Sequence, residues 1–243
     1  MSQKSVLITG ASRGIGAACA REFAGAGYRV FINSRNSKAE LDSLAAKLRE
    51  TGANCEALPG DVGNVGHVRQ IFRKIAEVCG GVDVLVNNAG ISYCGLLTDM
   101  TDGEWDDILR TNLSSVFYCS RAAVPYMVSK KAGKIINISS MWGRVGASCE
   151  VAYSATKAGM NGFSMALAKE LAPSNVQVNA IACGVIETAM NAWLGGEERK
   201  NLEEEIPAGR FGSVEEVAAL ALDLAKGHSY LTGQVIGLDG GYV

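Results

Sequence analysis

Tyr153 and Lys157 are the two side chains of this sequence whose types and spacing best suit proton transfer. They lie in the segment EVAYSATKAG, and on a helix a spacing of four puts both on one face, one turn apart. A free tyrosine, with a pKa of ~10, donates its proton slowly near neutral pH. A lysine ammonium ~4 Å away would attract the phenolate by ~4 kcal/mol at an effective dielectric of ~20, which lowers the tyrosine pKa by up to ~3 units before burial opposes it. The pair alone is more often an exposed helical turn, so its interpretation depends on the other motifs.

A glycine-rich segment near the N-terminus predicts a phosphate-binding turn. VLITGASRGIG places Gly10, Gly14 and Gly16 between the first predicted strand and the first predicted helix. Glycines permit a tight turn, let the backbone approach a pyrophosphate, and direct the free amides of the helix N-terminus at its charge. The alternative is a glycine turn that serves packing alone.

The end of the second predicted strand favours NADPH over NADH. Folds that bind NAD usually place a carboxylate there to bind the ribose hydroxyls, but this sequence has Ser34 and Arg35 in NSRN and no acid. A carboxylate would repel a 2′-phosphate, whereas a guanidinium can bind it through paired charge-assisted hydrogen bonds. Arg13, in the glycine segment, could approach the phosphate from the other side. Alternatively, both arginines only solvate loops.

Short apolar runs alternate with longer polar, periodic segments, which indicates βαβ units on a parallel sheet. The runs are nearly all apolar, as expected for strands covered by helices on both faces. We therefore predict a single α/β domain over residues 1–243, a Rossmann fold with a seven-stranded parallel sheet and helices on both faces. Capping boxes predict helix starts at 101–104 and 213–216, and Gly52 and Gly80 predict helix ends. The predicted strands are SVLIT, RVFIN, CEAL, VDVLVN, KIINIS, VQVNAIA and QVIGL.

Residues 184–207 form the least regular part of the sequence. They contain the pair Gly195 and Gly196 and the charged run EERKNLEEE. Two interpretations stay open: a mobile flap over a site, or a solvated surface helix.

Composition excludes several other classes of protein. The net charge is −2 and Lys/Arg clusters are short, so a nucleic-acid partner is not expected. No apolar run approaches the ~20 residues of a membrane span, and the first residues are too short for a signal-peptide core, so we expect a cytoplasmic protein that does not bind a membrane. Seven scattered cysteines without a C-x-x-C spacing, and only two histidines, predict reduced thiols and no metal site.

Five motifs in order resemble those of the short-chain dehydrogenase/reductase family. They are TGASRGIG, NNAG at 87–90, Asn112 in TNLSSVF, NISS ending at Ser140, and the Tyr153-x-x-x-Lys157 pair. The resemblance extends over essentially the whole chain, to the closing TGQVIGLDGG, and is strongest to the bacterial 3-oxoacyl-acyl-carrier-protein reductase branch. It implies NADP(H)-dependent reduction of a ketone to a secondary alcohol, and a homotetramer.

The resemblance also implies roles for the catalytic residues. Hydride transfer to a ketone builds negative charge on its oxygen, which must be stabilised and protonated. Tyr153 would be the acid, and Lys157 would tune it and hold the nicotinamide ribose. Ser140 would donate a hydrogen bond to the substrate oxygen, and Asn112 would support a water that relays protons to Lys157. Alternatively, Ser140 is only a strand-end turn residue, and Asn112 bonds a neighbouring backbone group.

The same resemblance implies a set of cofactor contacts. Asp61 and Val62 would flank the adenine, and Ile186 and Thr188 would cover the nicotinamide. Cys183 stands where the family usually has a proline, so we expect a looser turn there and less certain contacts after it. The residues expected to bind the cofactor are Gly10, Ser12, Arg13, Gly14, Ile15, Gly16, Ser34, Arg35, Asp61, Val62, Asn88, Ala89, Gly90, Tyr153, Lys157, Ile186 and Thr188.

The substrate is left open between two protein-carried ketones. A carrier-protein substrate would dock on basic residues near the active-site mouth, and Lys130 and Lys131 match one such region. A second region, 173–175 (PSN), lacks the expected arginine.

The second ketone is suggested by MWGRVGASCEVAY followed by ALAKELAPSN. These stretches are similar to a bacterial subgroup that reduces the 5-aminopentanone modification on elongation factor P. Glu150 would bind the substrate amine or cap its helix, and Trp142 would form a pocket wall or ordinary core. A third class, a non-catalytic NADP-binding regulator or scaffold, is disfavoured by the intact catalytic set.

Overall fold

In the computed structural model of the protein, which describes residues 3–189 and 195–243, seven strands alternate with nine α-helices. The strands are β1 (Ser5–Ile8), β2 (Arg29–Ile32), β3 (Cys55–Ala57), β4 (Val84–Asn87), β5 (Gly133–Ser140), β6 (Val176–Cys183) and β7 (Val235–Leu238). The helices are α1 (Gly14–Gly25), α2 (Lys38–Glu50), α3 (Val65–Cys79), α4 (Asp102–Leu109), α5 (Ser115–Lys130), α6 (Trp142–Val145), α7 (Val151–Leu171), α8 (Gly196–Glu205) and α9 (Val214–Lys226).

All seven strands pair in parallel in the order β3-β2-β1-β4-β5-β6-β7, which confirms the predicted sheet. The chain order reverses between β1 and β4. In open α/β sheets this switch point leaves a crevice at the carboxyl ends of the strands, where ligands bind. The glycine segment follows β1, and NNAG begins in β4, so both lie at this crevice.

The core lies on both faces of the sheet because alternate side chains of each strand point in opposite directions. Val6 and Ile8 of β1 pack in one cluster with Phe23 of α1, whereas Leu7 packs in the other with Ile75 of α3. All of these side chains are fully buried. The near-continuous apolar strands of the sequence therefore follow from helices that cover both faces.

The predicted helix boundaries are confirmed where side chains set them. Thr101 starts α4 and Ser213 starts α9, each through a capping box with a glutamate three residues later. Gly80 ends α3 in the left-handed region, with φ 84°, and Gly52, with φ 85°, follows the end of α2.

The predicted flap falls partly outside the described residues, which omit 190–194. EERKNLEEE lies in α8, where Arg199 forms ion pairs with Glu187 and Glu203. Within the described ranges, no helix is long and apolar enough to cross a membrane. Nor does this part of the chain bring together three His, Cys, Asp or Glu side chains as a metal site.

Candidate active site

The first two turns of α7 place Tyr153 and Lys157 on one face, at the carboxyl end of β5. The Lys157 Nζ lies 5.4 Å from the centroid of the Tyr153 ring. It donates a hydrogen bond of 2.7 Å to the carbonyl of Ile138, and the residue is only 4% exposed. Among the described residues this is its one hydrogen bond, so the other N–H donors of the ammonium have no protein acceptor.

Burial dominates the protonation of this pair. It lowers the pKa of Lys157 to about 8, although the nearby Cys183 thiol opposes the shift. It raises the pKa of Tyr153 above its ordinary value, and Cys183 adds to the rise. The predicted lowering of the tyrosine pKa is therefore wrong for this structure. Because Lys157 loses its proton first, the tyrosine would ionise beside a neutral amine, so Tyr153 holds its proton across the physiological range.

Ser140, at the last position of β5, brings a second hydroxyl to the tyrosine. It is 6% exposed, and its hydrogen bond to the Tyr153 oxygen opposes part of the rise in the tyrosine pKa. The Ser140 Oγ also accepts the backbone N–H of Trp142 at 3.2 Å. Two hydroxyl donors thus share one position, where both could donate to a single substrate oxygen.

Asn112 lies in a π-helical segment, Arg110–Ser114, between α4 and α5, and is fully buried. Its amide accepts the N–H of Ile91 at 2.8 Å and donates to the carbonyl of Ile91 at 2.8 Å and to the Thr156 Oγ1 at 3.2 Å. Thr156 in turn donates to the carbonyl of Tyr153 at 2.8 Å. Asn112 therefore ties the loop after β4 to the catalytic turn of α7.

The glycine segment forms a cradle that side chains would fill. Gly10 and Gly14 have φ of 63° and 56°. A Cβ at Gly10 would lie 2.8 Å from the Ala89 Cα, and one at Gly16 would lie 2.5 Å from the Gly10 oxygen. Arg13 occupies the N-cap position of α1, and among the described residues its side chain makes no hydrogen bond to the first amides of the helix. Backbone amides of this turn are thus available to a phosphate, and the cradle fits the pyrophosphate of a dinucleotide.

Thr9 and Asn88 hold this cradle in place. The Thr9 Oγ1 accepts the backbone N–H groups of Asn88 and Ala89, both at 3.0 Å. The Asn88 amide donates to the carbonyls of Thr9 at 2.9 Å and Gly10 at 3.0 Å. Thr9 was not predicted as a site residue. The sequence signal that could have identified it is a hydroxyl side chain directly before Gly10, the first glycine of the segment.

Ser34 and Arg35 follow β2 beside the cradle. Ser34 is 7% exposed and its Oγ lies 3.5 Å from the Ser12 Oγ. The Arg35 Nη1 lies 3.4 Å from the Asp107 Oδ1, and Asp107 also pairs with Arg110. The pairing of Arg35 with Asp107 was not predicted, because the two residues are 72 positions apart.

Other predicted cofactor residues surround the same crevice in different ways. Thr188 lies at the cradle, since its Cγ2 is 3.7 Å from a Cβ placed on Gly14. A Cβ on Gly90 would lie 3.8 Å from the Lys157 Nζ. Val62 and Ile186 are each 4% exposed, and their side chains pack in the core. Ile15 packs partly against the same core as Ile186.

Asp61 folds its carboxylate back onto its own turn. Its Oδ1 accepts the N–H of Gly63 at 2.8 Å, and its backbone N–H donates to the His67 Nδ1 at 3.1 Å.

Backbone hydrogen bonds hold the turn after Cys183, and its looseness relative to a turn with proline stays a prediction. The Gly184 N–H donates to the carbonyl of Leu238 at 2.9 Å, and the carbonyl of Cys183 accepts the N–H of Met141 at 2.8 Å. A Cβ at Gly184 would lie 2.6 Å from the Asp239 Cα. Pairing with β7 therefore holds the end of β6.

Trp142 and Glu150 form one wall beside Ser140 and Tyr153. The Trp142 indole donates a hydrogen bond to the Glu150 carboxylate, which is partly buried, and burial raises the pKa of Glu150. Glu150 occupies the cap position of α7, but its side chain makes no capping bond there. The ring of Tyr242 meets Trp142 edge to face at 6.1 Å, and its hydroxyl donates to Glu205 at 2.8 Å.

Lys130 and Lys131 precede β5 at the amino-terminal end of the sheet, opposite Ser140, so the expectation that they lie near the active-site mouth is wrong within this chain. Lys130 pairs with Asp83, which precedes β4, at 3.0 Å. The carbonyl of Lys131 accepts the amide of Asn175 at 3.0 Å. The eight residues of β5 separate the amino-terminal end of the sheet from Ser140 by roughly 25 Å, at ~3.3 Å per residue.

A phosphate cradle at the switch point of a parallel sheet, with a Tyr–Lys pair beside it, defines an oxidoreductase that uses a nicotinamide cofactor. The model of the short chain dehydrogenase family matches residues 4–199, and the chain belongs to that family.

Two relatives described as 3-oxoacyl-acyl-carrier-protein reductases cover nearly the whole chain. The Staphylococcus aureus protein is 40% identical over 242 residues, which span 98% of this chain and 97% of the relative. The Thermotoga maritima protein is 42% identical over 241 residues, which span 99% and 98%. A solved Agrobacterium tumefaciens structure, provisionally described as a gluconate dehydrogenase, superposes with a TM-score of 0.94 at 33% identity over 98% of this chain and 95% of that one.

Proposed function

We propose that this protein is an NADPH-dependent reductase that converts a ketone to a secondary alcohol, of the 3-oxoacyl-acyl-carrier-protein reductase type. The observation that carries the proposal is the convergence of Ser140, Tyr153 and Lys157 beside the glycine cradle. The description of the relatives as 3-oxoacyl-acyl-carrier-protein reductases supports this substrate class. The positions of Lys130 and Lys131 give it no support.

The proposed chemistry uses the two hydroxyls as a paired donor to the carbonyl oxygen. A bound nicotinamide supplies the hydride. Ser140 donates a hydrogen bond that stabilises charge on the oxygen, and Tyr153 transfers its proton to it. Lys157, when protonated, favours the resulting phenolate and uses its remaining N–H donors on the ribose hydroxyls. Asn112 and Thr156 hold the tyrosine backbone in place for this transfer.

The proposed preference for NADPH rests on Arg13 and Arg35 and on the absence of an acid after β2. Loss of Arg35 removes a charge-assisted contact worth ~1.5 to 3 kcal/mol, so NADPH binding should weaken by roughly 10- to 100-fold while NADH binding stays unchanged.

Cofactor oxidation tests the proposal directly. The purified protein should oxidise NADPH, and NADH far more slowly, in the presence of a 3-oxoacyl thioester or its carrier-protein form. NADPH binding without turnover on a broad panel of ketones would instead favour a regulator or scaffold.

A ketone that bears a primary amine, as on elongation factor P, is a second candidate because of Glu150. Its carboxylate does not cap α7, is held by Trp142, and is close enough to raise the pKa of Tyr153. A cation bound there would compensate a partly buried negative charge. We expect Glu150→Gln to lower kcat/KM for an amine-bearing ketone far more than for a neutral 3-oxoacyl thioester of similar length, with exposed Glu170→Gln as control. Equal losses on both substrates would remove this candidate.

We also propose a homotetramer in the cytoplasm. Exposed apolar side chains on α5 and α7, including Phe117, Val151 and Met165, are each more than 40% exposed and fit contacts between copies. All seven cysteines lie in the described residues as free thiols, which fits a reducing compartment.

A further inference from the structure

Arg35, the residue proposed to bind the 2′-phosphate, already has an anionic partner within the chain. Its Nη1 lies 3.4 Å from the Asp107 Oδ1, and the two side chains are 35% and 33% exposed. Asp107 lies on α4, far from Arg35 in sequence. A phosphate that binds Arg35 would therefore lie beside a carboxylate.

Arg110, three residues after Asp107, donates a hydrogen bond to the same Asp107 carboxylate oxygen as Arg35. Its side chain passes close to Gly63, where an added Cβ would lie 3.0 Å from the Arg110 Cγ. Asp61 and Asp106 also attract its charge. Arg110 therefore interacts with three carboxylates, whereas Arg35 pairs with one among the described residues.

We propose that Asp107 competes with the cofactor 2′-phosphate for Arg35, and that Arg110 limits this competition by drawing Asp107 to itself. Together they set how strongly the protein prefers NADPH. This inference rests on the proposed NADPH preference and extends it to Asp107 of α4 and Arg110 of the π-helical segment after it, neither of which follows the second strand. NADH has no 2′-phosphate, so its binding should not depend on either residue.

The two residues should act in opposite directions. Asp107→Asn removes the competing charge and keeps the shape of the side chain, so the Kd for NADPH should fall about two- to fivefold, the range of an exposed ion pair. Arg110→Met removes the other cation that pairs with Asp107, so Asp107 should pair more strongly with Arg35. The Kd for NADPH should then rise by a similar factor of about two to five. If Arg110 acts only through Asp107, its substitution should have no effect in the Asp107→Asn background.

Fluorescence titration of NADPH and NADH onto these variants, at one fixed salt concentration, tests the proposal without any need for turnover. Asp102→Asn is the matched control, since it removes an exposed charge from the same helix but makes no described contact with Arg35, Asp107 or Arg110. Adenosine 2′,5′-bisphosphate, which carries a 2′-phosphate, should show the same changes in Kd as NADPH, and AMP, which does not, should show none. Because both probes lack the nicotinamide, this result would assign the effect to the 2′-phosphate.

The outcomes separate this inference from the proposed function. If Arg35→Ala leaves both cofactors equally bound, the NADPH preference itself fails, and the inference with it. If Arg35→Ala weakens NADPH selectively but Asp107→Asn weakens it too or leaves it unchanged, the inference alone is overturned, because Asp107 then positions Arg35. An equal effect of Arg110→Met in both backgrounds would show that Arg110 binds the phosphate directly, and would also overturn it.

Discussion

A buried ammonium group makes Lys157 costly for the fold that holds it. Burial lowers its pKa from 10.5 to about 8, so the unfolded chain binds more protons at this position between those two values. Stability from this residue therefore rises with pH across that window, and below it the folded state bears the full cost of the buried charge. Lys157→Met should remove this cost.

The size of the effect follows from the pKa shift. At about pH 7, the buried charge costs about 3 kcal/mol of folding free energy. The substitution also leaves the Ile138 carbonyl without its donor, which costs about 1 to 3 kcal/mol. The variant should thus be equal to the native protein or more stable by up to about 2 kcal/mol. At about pH 9.5 the lysine is neutral in the fold and its cost falls to about 1 kcal/mol, so the difference between the proteins should shift by about 2 kcal/mol against the variant.

Urea unfolding of both proteins at these two pH values, at one protein concentration, measures this shift. Buried thiols that do not interact with Lys157, such as Cys119, whose pKa burial raises to about 12, destabilise the fold as pH rises above 9, but they occur in both proteins and cancel in the difference. A difference in stability that stays constant between the two pH values would refute the reasoning. The variant should also lose ketone reduction, which would show that the buried charge is retained for function at the expense of stability.

Three other outcomes follow from the structure. Gly16→Ala should abolish cofactor binding, because its Cβ would lie 2.5 Å from the Gly10 oxygen. Gly25→Ala in the same helix is the control, since its Cβ would meet nothing within 4 Å, and it should leave binding unchanged. Tight cofactor binding by Gly16→Ala, measured by titration, would contradict the proposed phosphate cradle. A thiol reagent should modify exposed Cys94 first in the folded protein, and rapid reaction of all seven cysteines would contradict the described burial of Cys19, Cys55, Cys119 and Cys183. Light scattering at micromolar concentration should give the mass of a tetramer, and a monomer would remove the proposed assembly.

The fold was predictable because local signals and burial agree along most of the chain. Largely apolar runs of four to seven residues marked each strand, since both faces of the sheet are covered. Capping boxes at Thr101 and Ser213 fixed helix starts from side chains only three residues apart. Such local rules carry no information on which distant residues meet.

The candidate site was less predictable where contacts join distant segments. Asp107 meets Arg35 only because α4 packs beside the end of β2. The direction of the Tyr153 pKa depends on burial, which the spacing to Lys157 does not reveal. Lys130 matched a docking region by sequence, but it lies at the amino-terminal end of the sheet, because the eight residues of β5 separate it from Ser140.

Replacement of Tyr153 by phenylalanine tests the central claim most directly, because it removes the proposed proton donor and keeps the ring beside Lys157. NADPH-dependent reduction of a ketone should slow by at least ~10² to 10⁴, while NADPH affinity stays near that of the native protein. Tyr230→Phe, at a fully exposed tyrosine, is the control and should turn over normally. Near-native turnover by Tyr153→Phe would contradict the account, because another group would then have to supply the proton.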